Sequence, residues 1–344
     1  MRHILPCLDI RLWRRNPSVF AEELRKACHQ TGFFTLKHDI SPTLVENQIL
    51  EAKQFFARPL DEKRSISYDQ SPAFRGYMSV GVENTAGKPD LREQIEIGPE
   101  GDPAAANSWP SHQRLVGPNQ WPALQPSLRD SVSQYAREMI RLSQDLQEAF
   151  CLSLGLERDG LRFLFSEAPH WQLKMACTSI NKNDDDNEQS FGVGAHTDTG
   201  FLTLLLQDEI GGLQVFTNNA WIDIPPAGPH SFVCNIGELA QMLTQNYFLA
   251  TPHRVVNKAG AKRRISVPFF YNPPLSAKVE PLDLTCLAWE RQVDDKQHWK
   301  RSDNHMLESY GDNAFKSLAR SHPAVFSRHH HDLRLLEDGR VERL

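Results

Sequence analysis

The first half of the chain shows the apolar spacing of amphipathic helices. Apolar residues recur every three or four positions in three segments, which predicts helices over residues 18–31, 42–57 and 126–155. Between the first two helices, GFFTLKH (32–38) is rich in β-forming residues and predicts a strand. Residues 68–120 contain many Gly, Pro, Asn and Ser and are expected to loop over a surface.

The second half of the chain changes to short apolar runs at close spacing. Turn residues separate these runs, which cover residues 173–180, 201–207, 212–216, 221–224, 231–236, 252–257 and 264–271. Many short strands punctuated by turns indicate a β-sandwich or barrel. The predicted fold is therefore mainly β with flanking helices. We expect an N-terminal helical and loop region over 1–170, a β-core over 171–280 and a C-terminal helical segment over 281–344, packed into one structural unit.

Composition and charge exclude several classes of function. The 344 residues carry a formal net charge of −5 and show no basic stripe, so a nucleic-acid partner is not expected. No run of about 18 apolar residues predicts a membrane-spanning helix. Six cysteines are scattered without the spacing of metal ligands, and no secretory signal opens the chain. We therefore expect reduced thiols and a cytoplasmic location.

The stretch GAHTDTG (194–200) carries two potential metal ligands, His196 and Asp198. Side chains two residues apart on an extended strand point to the same face. His253, in TPHRVV, begins a later predicted strand and is the candidate third ligand. Two histidines and one carboxylate on one face form the facial triad of non-haem iron(II) oxygenases. A lone histidine is more often a hydrogen-bonded or surface residue, so the prediction depends on all three residues together.

A second pair follows on the next predicted strand. Arg264 and Ser266, in RRISVPFF, are also two residues apart and are expected to share a face. The guanidinium fork binds a carboxylate through two parallel hydrogen bonds, and a serine hydroxyl adds a third. The pair predicts a holder for the far carboxylate of a dicarboxylic acid that chelates the metal at its other end. The co-substrate 2-oxoglutarate has that shape.

These motifs and their flanks resemble the isopenicillin-N-synthase-like branch of the 2-oxoglutarate/iron(II)-dependent dioxygenases. The resemblance spans nearly the whole chain and includes LPCLDI, GFFTLKHDIS, RGYMSVGVENTAGKPDLRE, GAHTDTGFLTLLLQDEIGGLQVF, NIGELAQMLTQNYFLATPHRV, RRISVPFFYNP and YGDNAFKSLARSHP. It implies a double-stranded β-helix, or jelly-roll, core. It also implies that His196, Asp198 and His253 bind iron(II), and that Arg264 and Ser266 bind 2-oxoglutarate.

The implied enzyme uses iron(II), 2-oxoglutarate and O2 to oxidise an unactivated C–H bond of a small molecule, in specialised metabolism. The outcome is hydroxylation, desaturation or oxidative cyclisation, with release of succinate and CO2. An oxidase of the same fold that does not use 2-oxoglutarate is the alternative. Many relatives carry a Tyr that helps to hold 2-oxoglutarate, whereas LKMACTSINKN (173–183) has none; Thr178 and Asn181 are candidate replacements. A metal-binding scaffold and a zinc hydrolase are alternatives that the complete motif set disfavours.

Three further residues are candidates for substrate binding. Arg75 lies in the RGY motif, and Phe270 and Tyr271 follow the Arg264 strand. Loop anchoring by Arg75 and core packing by the two aromatic residues are equally open interpretations. Arg75, Lys174 and the polar Thr178–Asn181 segment favour a small acidic or amino-acid-like substrate. Asn235 is interpreted as a turn residue without chemistry.

Overall fold

The computed structural model describes residues 5–85, 88–178, 191–257, 263–287 and 307–344. The helices in this part of the chain are α1 (Ile10–Arg15), α2 (Pro17–Gln30), α3 (Pro42–Phe56), α4 (Leu60–Arg64), α5 (Ser127–Ser153), α6 (Glu238–Leu243), α7 (Tyr310–Ser321) and α8 (Pro323–His329). None of these helices is long and apolar enough to cross a lipid bilayer.

The strands fall into two groups along the chain. The N-terminal strands are β1 (Cys7–Asp9), β2 (Phe33–Lys37), β3 (Gly76–Met78), β4 (Asn84–Thr85), β5 (Lys88–Pro89) and β6 (Arg92–Ile97). The later strands are β7 (His170–Thr178), β8 (Phe191–His196), β9 (Leu202–Gln207), β10 (Leu213–Thr217), β11 (Ala220–Ile224), β12 (Ser231–Ile236), β13 (His253–Val256), β14 (Arg264–Asn272), β15 (Leu333–Leu335) and β16 (Val341–Arg343).

Local capping sets the bounds of the first long helix, α2. At its start, the Asn16 side chain accepts a hydrogen bond from the backbone N–H of Val19, and Pro17 occupies the first helical position. Gly32 follows α2 with φ +63°, a left-handed conformation that glycine adopts at little cost. The predicted helices over 18–31, 42–57 and 126–155 are confirmed within two residues at each end.

Two sheets form the core. The larger has eight strands in the order β1–β2–β12–β9–β14–β7–β6–β3, and the smaller has four in the order β11–β10–β13–β8. Strands from the N-terminal region complete both edges of the larger sheet, because β2 pairs with β12 and β6 pairs with β7. The predicted fold class, mainly β with flanking helices around a jelly-roll core, is confirmed. The proposed boundaries at residues 170 and 280 remain predictions.

The helices cover one face of the larger sheet. Alternate residues of strand β14 point to this outer face, where Val267 and Phe269 are fully buried among apolar residues. Phe269 stacks on Trp171 of β7 with ring centroids 5.6 Å apart. Helices α3 and α5 pack against β14 from this side. The outer face therefore supplies most of the hydrophobic burial that stabilises the fold.

The inner face of the larger sheet meets the smaller sheet and is divided. On the β2–β12 side, residues of both sheets form a small apolar cluster that includes Phe33, Val233, Leu213 and Val215. On the β7–β6 side, the inward positions are mostly polar. This polar half was not expected, since residues 68–120 were predicted to be loops. The six residues of β6, Arg-Glu-Gln-Ile-Glu-Ile, form a strand although only two are apolar.

We expect Phe269→Ala to lower the free energy of unfolding by about 3–5 kcal/mol, because it opens a cavity in the helix-facing core. Chemical denaturation followed by circular dichroism measures this change. Phe163→Ala is the matched control, since Phe163 is 52% exposed and its truncation should leave stability nearly unchanged. Equal effects of the two substitutions would contradict this description of the core.

Candidate metal centre

The three predicted metal ligands come together between the two sheets. His196 ends β8 and His253 begins β13, and the two residues lie directly opposite each other in the antiparallel pairing of these strands. Asp198 lies in the loop after β8, rather than on the strand itself. The ligand atoms of the three residues all lie within 4.8 Å of one another. Residues that are far apart along the chain thus converge on a single point.

The distances fit a shared cation. Oδ1 of Asp198 lies 3.7 Å from Nε2 of His196 and 3.7 Å from Nε2 of His253. The two imidazole centroids are 4.3 Å apart. Three donors of this kind on one side of a metal ion leave its other coordination positions open. The donor set therefore fits iron(II) of the facial-triad type.

Backbone carbonyls orient both imidazoles. Nδ1 of His196 lies 2.8 Å from the carbonyl oxygen of Gly194, and Nδ1 of His253 lies 3.2 Å from that of Thr251. A carbonyl oxygen only accepts, so each Nδ1 carries the proton and each Nε2 keeps its lone pair for a metal. The edge of the Phe33 ring also packs against His253, with centroids 5.2 Å apart.

The carboxylate of Asp198 is held by the larger sheet. Its Oδ2 accepts hydrogen bonds from the hydroxyl of Thr203 (2.6 Å) and from Nδ2 of Asn235 (2.8 Å). Thr203 on β9 and Asn235 on β12 are opposite each other in the strand pairing. The interpretation of Asn235 as a turn residue without chemistry is wrong, because it orients a metal ligand. Oδ1 is left facing the two histidines.

The protonation states of the triad suit metal binding. Burial, followed by the neighbouring His253, lowers the pKa of His196 to about 3. Burial favours the neutral form of Asp198, but His253, His196 and the hydrogen bonds from Asn235 and Thr203 outweigh it and hold the pKa of Asp198 below its ordinary value. A neutral imidazole and an ionised carboxylate are the forms that bind a metal ion.

The loop that carries Asp198 is fixed by a close backbone approach. The carbonyl oxygen of Asp198 accepts from the backbone N–H of Glu238 at 2.8 Å, and the side chain of Glu238 accepts from Thr197. A Cβ at Gly237 would lie 2.1 Å from the carbonyl oxygen of Gly200. A side chain at position 237 would therefore push the metal-ligand loop away from α6.

The predicted carboxylate holder also forms on the inner face. Nη1 of Arg264 donates to the hydroxyl of Ser266 (3.1 Å), and Nη2 donates to Oε1 of Gln207 (3.0 Å). All three residues are buried. Nε of Arg264 and Nε2 of Gln207 have no hydrogen-bond partner among the described residues. Two buried donors without an acceptor fit the carboxylate of 2-oxoglutarate.

The charge of this holder survives its burial. Burial lowers the pKa of Arg264 to about 10, while the nearby Asp208 acts in the opposite direction. The guanidinium therefore remains protonated at neutral pH. Thr178 lies opposite Arg264 in the β14–β7 pairing and is buried, so the two residues share the inner face. Asn181, the other candidate replacement for the missing Tyr, lies outside the described residues.

The structure separates the two aromatic candidates for substrate binding. Phe270 pairs with Thr203 and shares the inner face with Ser266, so it lies on the side of the metal ligands. Tyr271 points to the outer face, where its hydroxyl donates to Gln147 of α5 at 2.7 Å and its ring stacks on Phe165. Consecutive residues of a strand face opposite sides. The structure thus does not bring Tyr271 to the site, contrary to the prediction.

Arg75 is not at an exposed mouth of the site. Its side chain is buried, with a residue exposure of 1%, and lies over the backbone of Gly98 just after β6. Nη2 lies 3.4 Å from the carbonyl oxygen of Leu115, and Nε and Nη1 have no partner among the described residues.

A charged wall on the inner face was missed by the sequence analysis. Nζ of Lys174 lies 2.7 Å from Glu96 and 3.1 Å from Glu83, and Nη2 of Arg92 lies 2.6 Å from Glu83 and 3.2 Å from Asp90. Lys174 lies between the two glutamates, so the group is an ion-pair network rather than a second metal centre. The polar alternation of β6 was the signal that pointed to it.

We expect Thr203→Val to weaken iron(II) binding about 10- to 100-fold, because Asp198 loses one of the two donors that orient it. Anaerobic titration with iron(II) measures the affinity. Thr217→Val, at the half-buried end of β10, is the control. An unchanged affinity in the Thr203 variant would show that the carboxylate is oriented by other contacts.

Two family models match the chain. One, described as non-haem dioxygenase in morphine synthesis N-terminal, covers residues 5–124. The other, described as 2OG-Fe(II) oxygenase superfamily, covers residues 172–273. This range includes His196, Asp198, His253 and Arg264.

Curated relatives and a solved structure agree with these matches. A homoarginine-6-hydroxylase of Arabidopsis thaliana is 34% identical over 271 residues, which cover 76% of this chain and 72% of the relative. A 1-aminocyclopropane-1-carboxylate oxidase of Dictyostelium discoideum is 29% identical over 354 residues, which cover 93% of this chain and 95% of the relative. The fold matches the crystal structure of a full-length Neurospora crassa protein in complex with alpha-KG, with a TM-score of 0.74, 24% identity, and coverage of 92% of this chain and 96% of that one.

The convergent triad, the carboxylate holder and these matches lead to one assignment. The chain belongs to the 2OG-Fe(II) oxygenase superfamily and is an oxidoreductase that uses iron(II), 2-oxoglutarate and O2.

Proposed function

We propose that this enzyme oxidises an unactivated C–H bond of a small molecule by hydroxylation, desaturation or oxidative cyclisation, in specialised metabolism. The observation that carries the proposal is the arrangement of two sites on one inner surface. The iron ligands His196, Asp198 and His253 lie at one end, and Arg264 with Ser266 lies further along the same face. A metal with open positions beside a carboxylate holder suits a chelating keto acid.

The chain's own residues hold and orient the reactants. When bound, iron(II) and 2-oxoglutarate supply the oxidising power, and succinate and CO2 are the co-products. The two histidines and Asp198 would hold the metal from one side, which would leave coordination positions for the co-substrates. Arg264 would neutralise the far carboxylate, and its Nε together with Nε2 of Gln207 would donate to that carboxylate and fix its direction. The polypeptide thus supplies binding, orientation and electrostatics, while the cofactor carries the redox chemistry.

The presence of a carboxylate at position 198 also bears on which reaction the enzyme catalyses. A carboxylate in the triad occupies a coordination position that a halide would otherwise take. Thr203 and Asn235 hold that carboxylate firmly towards the metal position. This supports oxygenation or oxidation of the substrate over halogenation.

The charged wall supports an amino-acid-like substrate. Lys174 is paired with two glutamates, so it does not act as an isolated cation for an acidic substrate. The wall carries both signs of charge, with Glu83 and Glu96 next to Lys174 and Arg92. A zwitterion finds partners for both of its charges on such a surface. The Arabidopsis relative is, by its name, a hydroxylase of the amino acid homoarginine.

We expect Arg264→Met to raise the concentration of 2-oxoglutarate needed for half-saturation about 10- to 100-fold, because a charge-assisted pair is lost. The charge-transfer absorption that appears when 2-oxoglutarate chelates iron(II) without O2 measures this binding. Arg263→Met is the matched control, since Arg263 precedes β14 and contacts Glu93 and Cys177 on the opposite face of the sheet. Equal affinities in the two variants would exclude Arg264 as the holder.

We expect Asp198→Ala to abolish both the charge-transfer absorption and the release of succinate, because the metal loses a third of its protein ligands. Chromatographic measurement of succinate checks the second effect. Normal succinate release by this variant would contradict the triad assignment.

The alternative function is an oxidase of the same fold that does not use 2-oxoglutarate. Two observations favour this alternative: residues 173–183 contain no Tyr, and the Dictyostelium relative is by its name an oxidase. Substrate oxidation without any requirement for 2-oxoglutarate, and without succinate, would replace the proposed reaction by this one.

A further inference from the structure

Arg75 is a buried cation without a partner of opposite charge. Its residue exposure is 1%, and no carboxylate of the described residues lies within ion-pair distance of it. Glu96 and Glu100 act on it only at longer range, and burial lowers the pKa of Arg75 to about 10. It is therefore still charged at neutral pH. A buried charge of this kind is costly unless something compensates it.

A second buried group without partners, His170, lies on the neighbouring strand β7, where Leu173 pairs with Ile97, the residue before Gly98. Neither ring nitrogen of His170 has a hydrogen-bond partner among the described residues, and the residue is 5% exposed. Burial, and secondarily the charge of Arg75, lowers the pKa of His170 to about 3. The ring is therefore neutral and offers one N–H. Tyr310 of α7 covers the pair, with its ring centroid 6.1 Å from that of His170.

Another buried arginine shows what a structural anchor looks like in this fold. Arg114 is also fully buried, but its Nη1 and Nη2 donate to Asp332 at 2.7 and 2.6 Å, and its Nε donates to the carbonyl oxygen of Ser108 at 3.0 Å. This anchor fixes the C-terminal segment with every nitrogen engaged. Arg75 has one long contact to a carbonyl oxygen, so structural anchoring does not account for its donors.

The pair faces the same interior surface as the metal ligands. His170 of β7 pairs with Asn272 of β14. Two residues further along the same two strands, Gln172 pairs with Phe270, and on its other side Phe270 pairs with Thr203 of β9. Two strand spacings and two residues along the strand separate His170 from Thr203, which amounts to about 12 Å between backbones. Thr203 holds Asp198, so the pair lies within the reach of a small organic molecule bound beside the iron.

We propose that Arg75 and His170 form a subsite for the carboxylate of the organic substrate. Nε and Nη1 of Arg75 are free to bind a carboxylate by charge-assisted hydrogen bonds, and the N–H of His170 adds a further donor. The glycine at position 98 permits this placement, because a Cβ there would lie 2.0 Å from Nη1 of Arg75. The substrate is then a carboxylic acid, such as an amino acid, oriented by its acid group at a distance from the metal. This inference rests on the proposed function.

The first experiment tests whether the subsite binds a carboxylate. The full-length protein is saturated with manganese(II) and 2-oxoglutarate, so that the iron site and Arg264 are occupied. Its unfolding temperature is then compared in sodium acetate and in sodium chloride of equal ionic strength. We expect acetate to raise the temperature by a few degrees in the wild type and to have no such effect in Arg75→Met. An equal response of both proteins overturns the proposal.

The same measurement distinguishes a binding residue from an anchor. Without acetate, Arg75→Met should unfold at the wild-type temperature or above it, because an uncompensated charge is removed. Arg114→Met should unfold several degrees lower, because it removes both hydrogen bonds to Asp332. If Arg75→Met is destabilised as strongly as Arg114→Met, Arg75 is a structural anchor. Gly98→Ala is the second variant and should lose the acetate effect while it retains the charge.

The second experiment distinguishes the substrate carboxylate from a free anion. Free amino acids are screened for stimulation of succinate release, and each active compound is compared with its carboxamide. We expect Arg75→Met to raise KM for the acid at least tenfold, to leave kcat within a few-fold, and to leave KM for the amide unchanged. Equal effects on acid and amide, or stimulation by no carboxylic acid, overturn the substrate assignment. If only the substrate assignment is wrong, 2-oxoglutarate still produces its charge-transfer absorption with iron(II). If the proposed function itself is wrong, that absorption is absent.

Discussion

The carboxylate of Asp198 connects the two sheets, and the site depends on that connection. Its Oδ2 is held by Thr203 and Asn235 of the larger sheet, while its Oδ1 faces His196 and His253 of the smaller sheet. A metal bound by the three ligands therefore fixes the spacing of the two layers at this point. The hydrogen bonds also help to keep the carboxylate ionised although its side chain is only 10% exposed. A metal ligand without such support would rotate, and metal affinity would fall.

The interior between the sheets has two halves that do different work. The apolar half, around Phe33, Val215 and Val233, packs the sheets together and supports His253 from behind. The polar half is built from inward positions of β6, β7 and β14, where buried charges are paired or directed at ligands. Because burying a charge is costly, a fold keeps such groups only where they are compensated. Stability in this protein therefore comes mainly from the outer, helix-covered face, and the inner face is available for chemistry.

Four arginines, three of them buried and Arg92 nearly so, illustrate how the fold uses its polar interior. Arg92 and Arg114 are compensated by carboxylates of the chain itself. Arg264 is compensated in part by Gln207 and Ser266 and keeps a donor for a co-substrate. Arg75 has the fewest partners of the four. The kind of partner thus follows the role of each side chain: the structural arginines pair with carboxylates, whereas Arg264 and Arg75 contact only neutral groups.

The sequence alone determined the chemistry that depends on local spacing. The pairs His196/Asp198 and Arg264/Ser266 are each two residues apart, which is enough to place both members near one face of an extended segment. The apolar periodicity likewise determined the long helices. Only the tertiary structure decided which face of each strand is inside. Alternation shows which side chains share a face of the strand, but not whether that face points to the interior of the fold. Tyr271, for example, faces α5. It also decided the partners that come from distant strands, such as Thr203 and Asn235 for Asp198, because strand pairing brings together residues whose separation along the chain carries no local signal.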